Sequence, residues 1–455
     1  MTAPIIVGAG PAGIRAAATL LAHGLRPLLI DEAPRTGGQI YRRPPPGFTR
    51  SAKELYGAEA SHAKSLHATA DRVCAQVDYR PESLIWNATS SEIDVLNVPA
   101  KVSRTIQWRQ IILATGATDR ILPVPGWTLP GVYSLGGAQV ALKYQGCAIG
   151  SRVVFMGTGP LLYLVAHQYA CAGATVVAVI DTARFADQCA ALPRLLTQAG
   201  TFGKGLYYVA ALKARGIPIF SGTRPLQVNG QERVDGVRFV YAGKEITLSC
   251  NAVGFGYALR SETQLADLIG CNFSFSELHR SALPDCDPFG RSSVKGVYLA
   301  GDGAGILGAK AAEAAGELAA LSLLLDQGIG GKQQRIRQLQ RSLQGALNFR
   351  RGLERAFPFP TDWAEHAPDE LIVCRCENVS AGELRCVARD TQTHELNRLK
   401  ALSRVGMGRC QGRMCGTAAA EILAHAAAIP IDRVGRLRGQ MPIKPVPFDM
   451  TVSTP

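Results

Sequence analysis

No stretch of this 455-residue sequence reaches the roughly 20 uninterrupted apolar residues that a membrane-spanning helix needs. The opening MTAPIIVGAG also lacks a basic region leading to a small-residue cleavage site, so no export signal is expected and a cytoplasmic setting is. Acidic residues are short: 36 Asp and Glu face 49 Lys and Arg, a formal net charge of +13. That excess points to an acidic partner, an anionic substrate or peripheral contact with an anionic surface such as the inner membrane. Nucleic acid is not expected, because no aromatic stacking platform or recognition motif accompanies the charge. Much of the excess is local, with Lys332, Arg335, Arg337, Arg341, Arg350, Arg351 and Arg355 set against Glu354 alone. The segment reads either as the solvated face of a linker helix or as a docking surface for another subunit. Paired cysteines are scarce too. Of 12 cysteines only four fall into paired spacings, and Cys74, Cys147, Cys171, Cys189, Cys250, Cys271, Cys286 and Cys386 are scattered like small buried hydrophobes. A disulfide framework is not expected in an intracellular chain.

What is present begins at the first strand. Residues 4–7 (PIIV) predict a short apolar strand, residues 8–13 (GAGPAG) a tight turn, residues 14–23 an alanine-rich helix and residues 25–31 a second strand. Gly8, Gly10, Pro11, Ala12 and Gly13 let the turn and the helix N-terminus approach a pyrophosphate, whose charge the helix dipole favours. Asp31, with Glu32 beside it, ends the second strand where a ribose hydroxyl would lie. A second strand–glycine unit follows, with Gly157, Gly159 and a strand-end Asp181. Its third glycine is missing: Leu162 stands where close packing prefers Gly or Ala. NAD(P) binding, another nucleotide and an empty site all stay open there. Residues 110–117 and 296–303 read as buried strands ending in small-residue turns that return to the first unit, with a helix behind over 309–325.

The expected architecture is α/β. It has two Rossmann-like units, the second (121–287) inserted in the first (1–120 and 288–330), then a basic helical linker (331–368), a small cysteine domain (369–430) and an extended arm (431–455). Pro358 and Pro360 help mark the linker, and Pro442, Pro445 and Pro447 the arm.

The four paired cysteines are Cys374-x-Cys376, then after 33 residues Cys410-x4-Cys415. In extended chain, residues i and i+2 share a face, so Cys374 and Cys376 present both sulfurs together. Gly408 and Gly412 give the second loop freedom to curl, and Gly416 opens an alanine-rich helix whose dipole can face an anionic cluster. Arg375, Arg409 and Arg413 beside the ligands, with the loop amides, would raise the potential of a four-thiolate [2Fe–2S] site. A structural zinc is the alternative, though zinc usually takes C-x2-4-C pairs on compact loops.

GAGPAG at 8–13, Gly37-Gly38-Gln39, ATGA at 114–117 and AGDG at 300–303 together resemble the two-dinucleotide-domain flavoproteins that include thioredoxin reductase. The resemblance implies FAD held by the residues above with Gly38, Gln39, Thr115, Gly116, Gly301 and Asp302, the last at the ribitol. It also implies Lys310 and Ala311 at the pyrimidine edge of the flavin ring, where a lysine would stabilise the anionic reduced ring. The chain departs from the disulfide reductases of that group in having no CxxC or Cx4C pair beside these motifs, so dithiol chemistry is not expected. The C-terminal cysteines look like the bacterioferritin-associated-ferredoxin type of [2Fe–2S] domain. Over its full length the chain is similar to the larger FAD subunits of heteromeric bacterial amine and imino-acid dehydrogenases, the opine oxidase, D-hydroxyproline dehydrogenase and hydrogen cyanide synthase type. That resemblance implies a component of an oxidoreductase that oxidises the C–N bond of an opine or cyclic amino acid. Its partners would be a quinone or similar acceptor, an FAD subunit resembling D-amino-acid oxidase and a small ferredoxin-like [2Fe–2S] subunit. No residue stands out as a substrate acid or base. A self-sufficient NAD(P)H-dependent ferredoxin-type reductase is the rival reading.

Overall fold

A computed structural model of the chain describes residues 3–453; the two outermost positions at each end, assigned above to the first domain and the arm, lie outside it. Strands Ile5–Val7, Leu28–Ile30, Ile111–Leu113 and Val297–Leu299 are buried at every position, as expected where helices cover both faces of a parallel sheet. With Asp78–Arg80 they form a five-stranded sheet in the spatial order 297–299, 111–113, 5–7, 28–30, 78–80, every neighbour parallel. The loops after four of these strands therefore open at one edge, the carboxyl ends, where α/β sheets bind ligands. Helices Pro11–Leu21, Ala60–Cys74 and Ala309–Asp326 pack on this sheet, and an antiparallel meander (Ser83–Ala88, Glu92–Asn97, Val102–Gln107) follows its last strand.

The second unit repeats the plan. Its sheet runs 219–221, 175–181, 152–158, 252–257, 132–134, all parallel, with helix Pro160–Cys171 in the position of the first unit's opening helix. The insertion is as expected, but the chain returns earlier than residue 288. Outgoing strand Ala117–Asp119 pairs antiparallel with returning strand Leu259–Ser261. Past that ladder, Leu265, Ala266, Ile269 and Cys271 share a core with Ile5, Val7 and Leu28 of the first sheet. The apolar residues of 264–271 complete the first core, which single-strand patterning cannot reveal.

The segment expected to be a linker holds helix Gln333–Ala356, whose Ile336, Leu339, Ala346, Phe349 and Ala356 are buried. It lies along helices Phe185–Leu195 and Ala309–Asp326. Lys332, Arg335, Arg337, Arg341, Arg351 and Arg355 are exposed, whereas Arg350 is buried against Glu354. Beyond it the Phe359 ring lies between the guanidiniums of Arg120 and Arg280, at 5.0 and 4.9 Å.

The cysteine domain consists of a small hairpin (Ile372–Cys374 with Val379–Ser380) and helices Ala381–Asp390, Leu396–Ser403 and Gly416–Ala426. It is not a loose appendage. Val373, Leu384 and Ile422 belong to one buried cluster with Trp127, Val154 and Phe255 of the second unit. The indole of Trp127 donates to the Ile372 carbonyl at 2.6 Å and that of Trp363 to the Pro123 carbonyl at 2.9 Å. The arm then runs back to the first unit: Ile443 is buried in its core, Lys444 pairs with Glu32, and Thr451–Ser453 adds parallel to Val102–Gln107. Among the described residues no helix is long and apolar enough to cross a membrane.

Candidate functional site: two cofactor cradles and the segment between them

The residues of the first glycine turn meet at the carboxyl edge of the first sheet. Gly13 faces the turn so closely that a Cβ there would lie 1.7 Å from the Gly8 carbonyl oxygen, so only glycine closes it. Gly10 is different. Its φ of −79° suits any residue, and a Cβ would meet only Gly38, its Cα at 3.6 Å. Gly10 and Gly38 thus oppose one another across a gap beside the N-terminus of Pro11–Leu21, a cradle that side chains would fill. Asp31 accepts from the amides of Ala9 and Ala33, and Glu32 turns outward to Lys444. Asp302 accepts from Leu307 N at 3.2 Å. Burial raises the pKa of both Asp31 and Asp302 above the ordinary carboxylate value against these amides. Two half-buried carboxyls with acceptor capacity to spare suit the hydroxyls of a ribose and a ribitol, so the edge fits FAD. Thr115 and Gly116 border it, Ala311 is buried behind it and Gln39 is exposed, accepting from Arg42 at 2.9 Å. Lys310 is exposed at the first turn of its helix. It lines a cleft of about 290 Å³ with Arg15, His62, Glu313 and Arg335, a lining without any residue of the 8–13 turn.

The loop behind Asp302 rests on His279, which the sequence did not single out. Its Nε2 accepts from Ile306 N at 3.1 Å, and its Nδ1 lies 3.1 Å from Ser276 Oγ. Burial first, then the Arg350 charge, push its pKa down to about 4. A folded-state value below the ordinary 6.5 means stability present above pH 6.5 and lost as pH falls toward 4. From pH 6.5 to 5 this histidine should cost about 1.5 kcal/mol, and His279→Gln should remove that slope in denaturant titrations.

The second glycine unit is built differently. Gly159 is buried and Asp181 fully so, and the Asp181 carboxylate accepts from Thr158 Oγ1 (2.8 Å), Ala183 N (2.9 Å) and the Tyr163 hydroxyl (2.6 Å). Burial raises its pKa to about 6 against those donors. Gly157 has φ +135°, and a Cβ would lie 1.9 Å from the Gly256 carbonyl, so this glycine serves strand packing. A ribose would have to displace three internal hydrogen bonds to reach Asp181. The acid that marked a second nucleotide is committed to its own fold.

The four cysteines converge. Cys374 and Cys415 are buried, Cys410 is half-buried and Cys376 exposed. Cys374 and Cys415, Cys415 and Cys410, and Cys410 and Cys376 each act on their neighbour's ionisation. The Cys415 thiol first, then the amides of Gly406, Glu377 and Cys376, lower Cys374 to about 6. The same thiol, with the amides of Met414 and Gly412, lowers Cys410 to about 5. Amides aimed at sulfurs are what a thiolate cluster requires. Gly408 permits the convergence, since a Cβ there would lie 2.2 Å from Cys376 Cβ. The scattered Cys386 is exposed and neighbours Arg389.

Between the two cradles runs one short segment, again unmarked in the sequence. Strand Leu259–Ser261 and its continuation put Arg260, Glu262 and Gln264, alternate residues, toward the loop of Cys410 and Cys415. Arg260 Nη1 donates to the Gly412 and Arg413 carbonyls, both at 3.2 Å. Gln264 donates to Gln411 O at 2.7 Å. Glu262 receives Arg413 Nε at 2.6 Å, and although burial opposes its ionisation, Arg413, Arg260 and Lys444 hold its pKa below the ordinary value. The same segment's backbone faces the other way: Glu262 O accepts from Thr115 Oγ1 at 2.6 Å and Glu262 N donates to Gly116 O at 3.0 Å.

Comparison with known proteins agrees with both cradles. Residues 3–319 match the pyridine nucleotide-disulphide oxidoreductase family, and residues 372–425 the BFD-like [2Fe-2S] binding domain. The opine oxidase A subunit of Rhizobium meliloti is 35% identical, over 97% of this chain and 85% of its own length. Hydrogen cyanide synthase subunit HcnB of Pseudomonas protegens is 33% identical, over 98% of this chain and 96% of its own. In fold, the chain is similar to L-proline dehydrogenase from P. horikoshii, with a TM-score of 0.70, 19% identity and coverage of 98% and 78% of the two chains. Thioredoxin reductase of T. acidophilum covers less, with a TM-score of 0.53, 22% identity and 71% of this chain. The family implies FAD and a [2Fe–2S] cluster in a flavin oxidoreductase, and the donors described above fit both groups.

Proposed function

Because this chain belongs to the family of opine oxidase A subunits and hydrogen cyanide synthase HcnB subunits, we propose that it is the electron-transferring subunit of a heteromeric dehydrogenase. The substrate class is an N-substituted or cyclic amino acid of opine or D-hydroxyproline type, oxidised at its C–N bond. FAD accepts electrons in pairs and releases them singly, and a [2Fe–2S] cluster carries one at a time. The supporting observation is the position of residues 259–264, hydrogen-bonded to the flavin-side turn through Thr115 and Gly116 and to the cluster loop through Arg413. On this reading Asp31, Asp302, Thr115 and the residue 8–13 turn hold FAD, and Cys374, Cys376, Cys410 and Cys415 hold the cluster. A partner resembling D-amino-acid oxidase supplies the substrate acid–base chemistry, a small ferredoxin-like chain joins it, and a quinone or similar acceptor takes the electrons.

The test is division of labour. The chain purified alone should reduce a dye with opine or D-hydroxyproline at least about a hundredfold more slowly than the reconstituted complex, a loss of catalytic contacts worth about 2.7 kcal/mol. Equal rates would overturn the reading. The rival, a self-sufficient NAD(P)H-dependent reductase, requires nicotinamide at Gly157, Gly159 and Asp181. With Asp181 held by Thr158, Ala183 and Tyr163, neither NADH nor NADPH should bleach the flavin band in an anaerobic stopped-flow experiment. Rapid bleaching by either would reinstate it.

A further inference from the structure

We propose that Arg260 is a positioning residue for the cluster, a fixed positive charge that sets the potential of the [2Fe–2S] site from outside the cysteine domain. The inference rests on the four-cysteine ligand set proposed above.

Three observations carry it. Arg260 comes from the two-stranded ladder that joins the Rossmann units, yet its guanidinium reaches the cysteine loop, donating to the Gly412 and Arg413 carbonyls at 3.2 Å. A Cβ on Gly416, the residue after Cys415, would lie 3.8 Å from Arg260 Nη1, so the charge sits beside a ligand's own peptide. The guanidinium lines a cavity of about 100 Å³ between the cysteine domain and the body of the protein, shared with Gln264, Gln411 and Leu437. Burial lowers its pKa, and Glu262 first, then Cys415 and Cys410, act on it in the opposite sense.

Arg375 and Arg409 flank the ligands but are exposed to solvent screening, which leaves Arg413 and Arg260 as the cations held against the loop. Arg413 is nearer the ligands in sequence, but the Glu262 carboxylate neutralises it at 2.6 Å. Arg260 spends its hydrogen bonds on carbonyl oxygens and feels Glu262 only through space, so it is not neutralised by a direct ion pair as Arg413 is. A four-thiolate cluster gains one negative charge on reduction, and a cation in a low-dielectric position stabilises the reduced state more than the oxidised one. The guanidinium stays charged at any working pH.

Arg260→Gln keeps an amide donor for the loop carbonyls and removes the charge, whereas Arg260→Lys keeps the charge. Each full-length variant, with its FAD, is titrated anaerobically with dithionite through mediator dyes and followed by the EPR signal of the reduced cluster. One electron passes from dithionite to the cluster, and no bond changes. At fixed solution potential, Arg260→Gln should lower the ratio of reduced to oxidised cluster about tenfold, a midpoint about 59 mV more negative. Arg260→Lys should stay within about threefold of the unmodified chain, and so should Gln264→Leu, which removes a neutral donor to the same loop. An unchanged potential in Arg260→Gln overturns the proposal. So does loss of iron from that variant, which would make the residue's role purely one of holding the loop, and so does an equal shift in Gln264→Leu. An unmodified chain without iron or sulfide would instead sink the ligand assignment on which the inference rests.

Discussion

Gly408→Ala is expected to abolish the iron–sulfur absorption while leaving the flavin bound. The methyl group would sit 2.2 Å from Cys376 Cβ, inside any tolerable contact, and 3.4 Å from its sulfur. Either the 408 loop or the Cys376 hairpin must move, and a shift of that size separates Cys376 from Cys410. Perturbing the shell around a metal site commonly costs 10- to 100-fold in affinity. Iron and sulfide should fall at least about tenfold per chain in the purified variant. The flavin edge is built on a different sheet with its own core, so the flavin absorption band should persist. Cys376→Ser, which deletes the ligand, should give the same spectrum. A Gly408→Ala protein with a full complement of iron would mean that these sulfurs do not converge on a cluster.

The second large effect is the converse. Gly10→Val should produce a folded protein that retains its cluster and binds FAD on the order of a hundredfold more weakly, roughly 2.7 kcal/mol. The backbone there, φ −79°, accepts a side chain, and the nearest atom to a Cβ is Gly38 Cα at 3.6 Å. Valine methyls would fill the gap through which a pyrophosphate approaches the helix N-terminus. Gly13→Ala differs, because its Cβ collides with the Gly8 carbonyl within the turn and folding itself should fail. Flavin content and circular dichroism of the two variants separate ligand exclusion from misfolding.

What the sequence revealed, it revealed through local patterns. Strand, glycine turn, helix and strand-end acid follow one another within 31 residues, and CxC spacing is a property of three. Asp181 shows the limit of such patterns. Its place after a strand–glycine unit matches Asp31, but Tyr163, one residue past the absent third glycine, reaches back to it, and only the folded register brings that hydroxyl within 2.6 Å. Arg260, Glu262 and Gln264 were invisible for a related reason. Their alternation is the ordinary signature of a strand face, and its meaning comes from a loop about 150 positions downstream, as in the Arg260–Gly412 separation of 152. His279 lies in a stretch without strong periodicity and acts on a backbone amide 27 residues away. Long-range contacts of polar side chains leave no period in a sequence. The basic helix was legible as a helix but not as a packed one, since its buried Arg350 reads in sequence like its exposed neighbours.

The returning arm has a mechanical consequence. With Thr451–Ser453 laid against Val102–Gln107, and Ile443 anchored beneath, the cysteine domain is bolted to the body at entry and exit alike. Redox modules slung on one tether can swing between docking stations, but a module fastened at both ends keeps a constant separation from its neighbour. On the proposed route, throughput is governed by that built-in gap, not by the tempo of a pendulum.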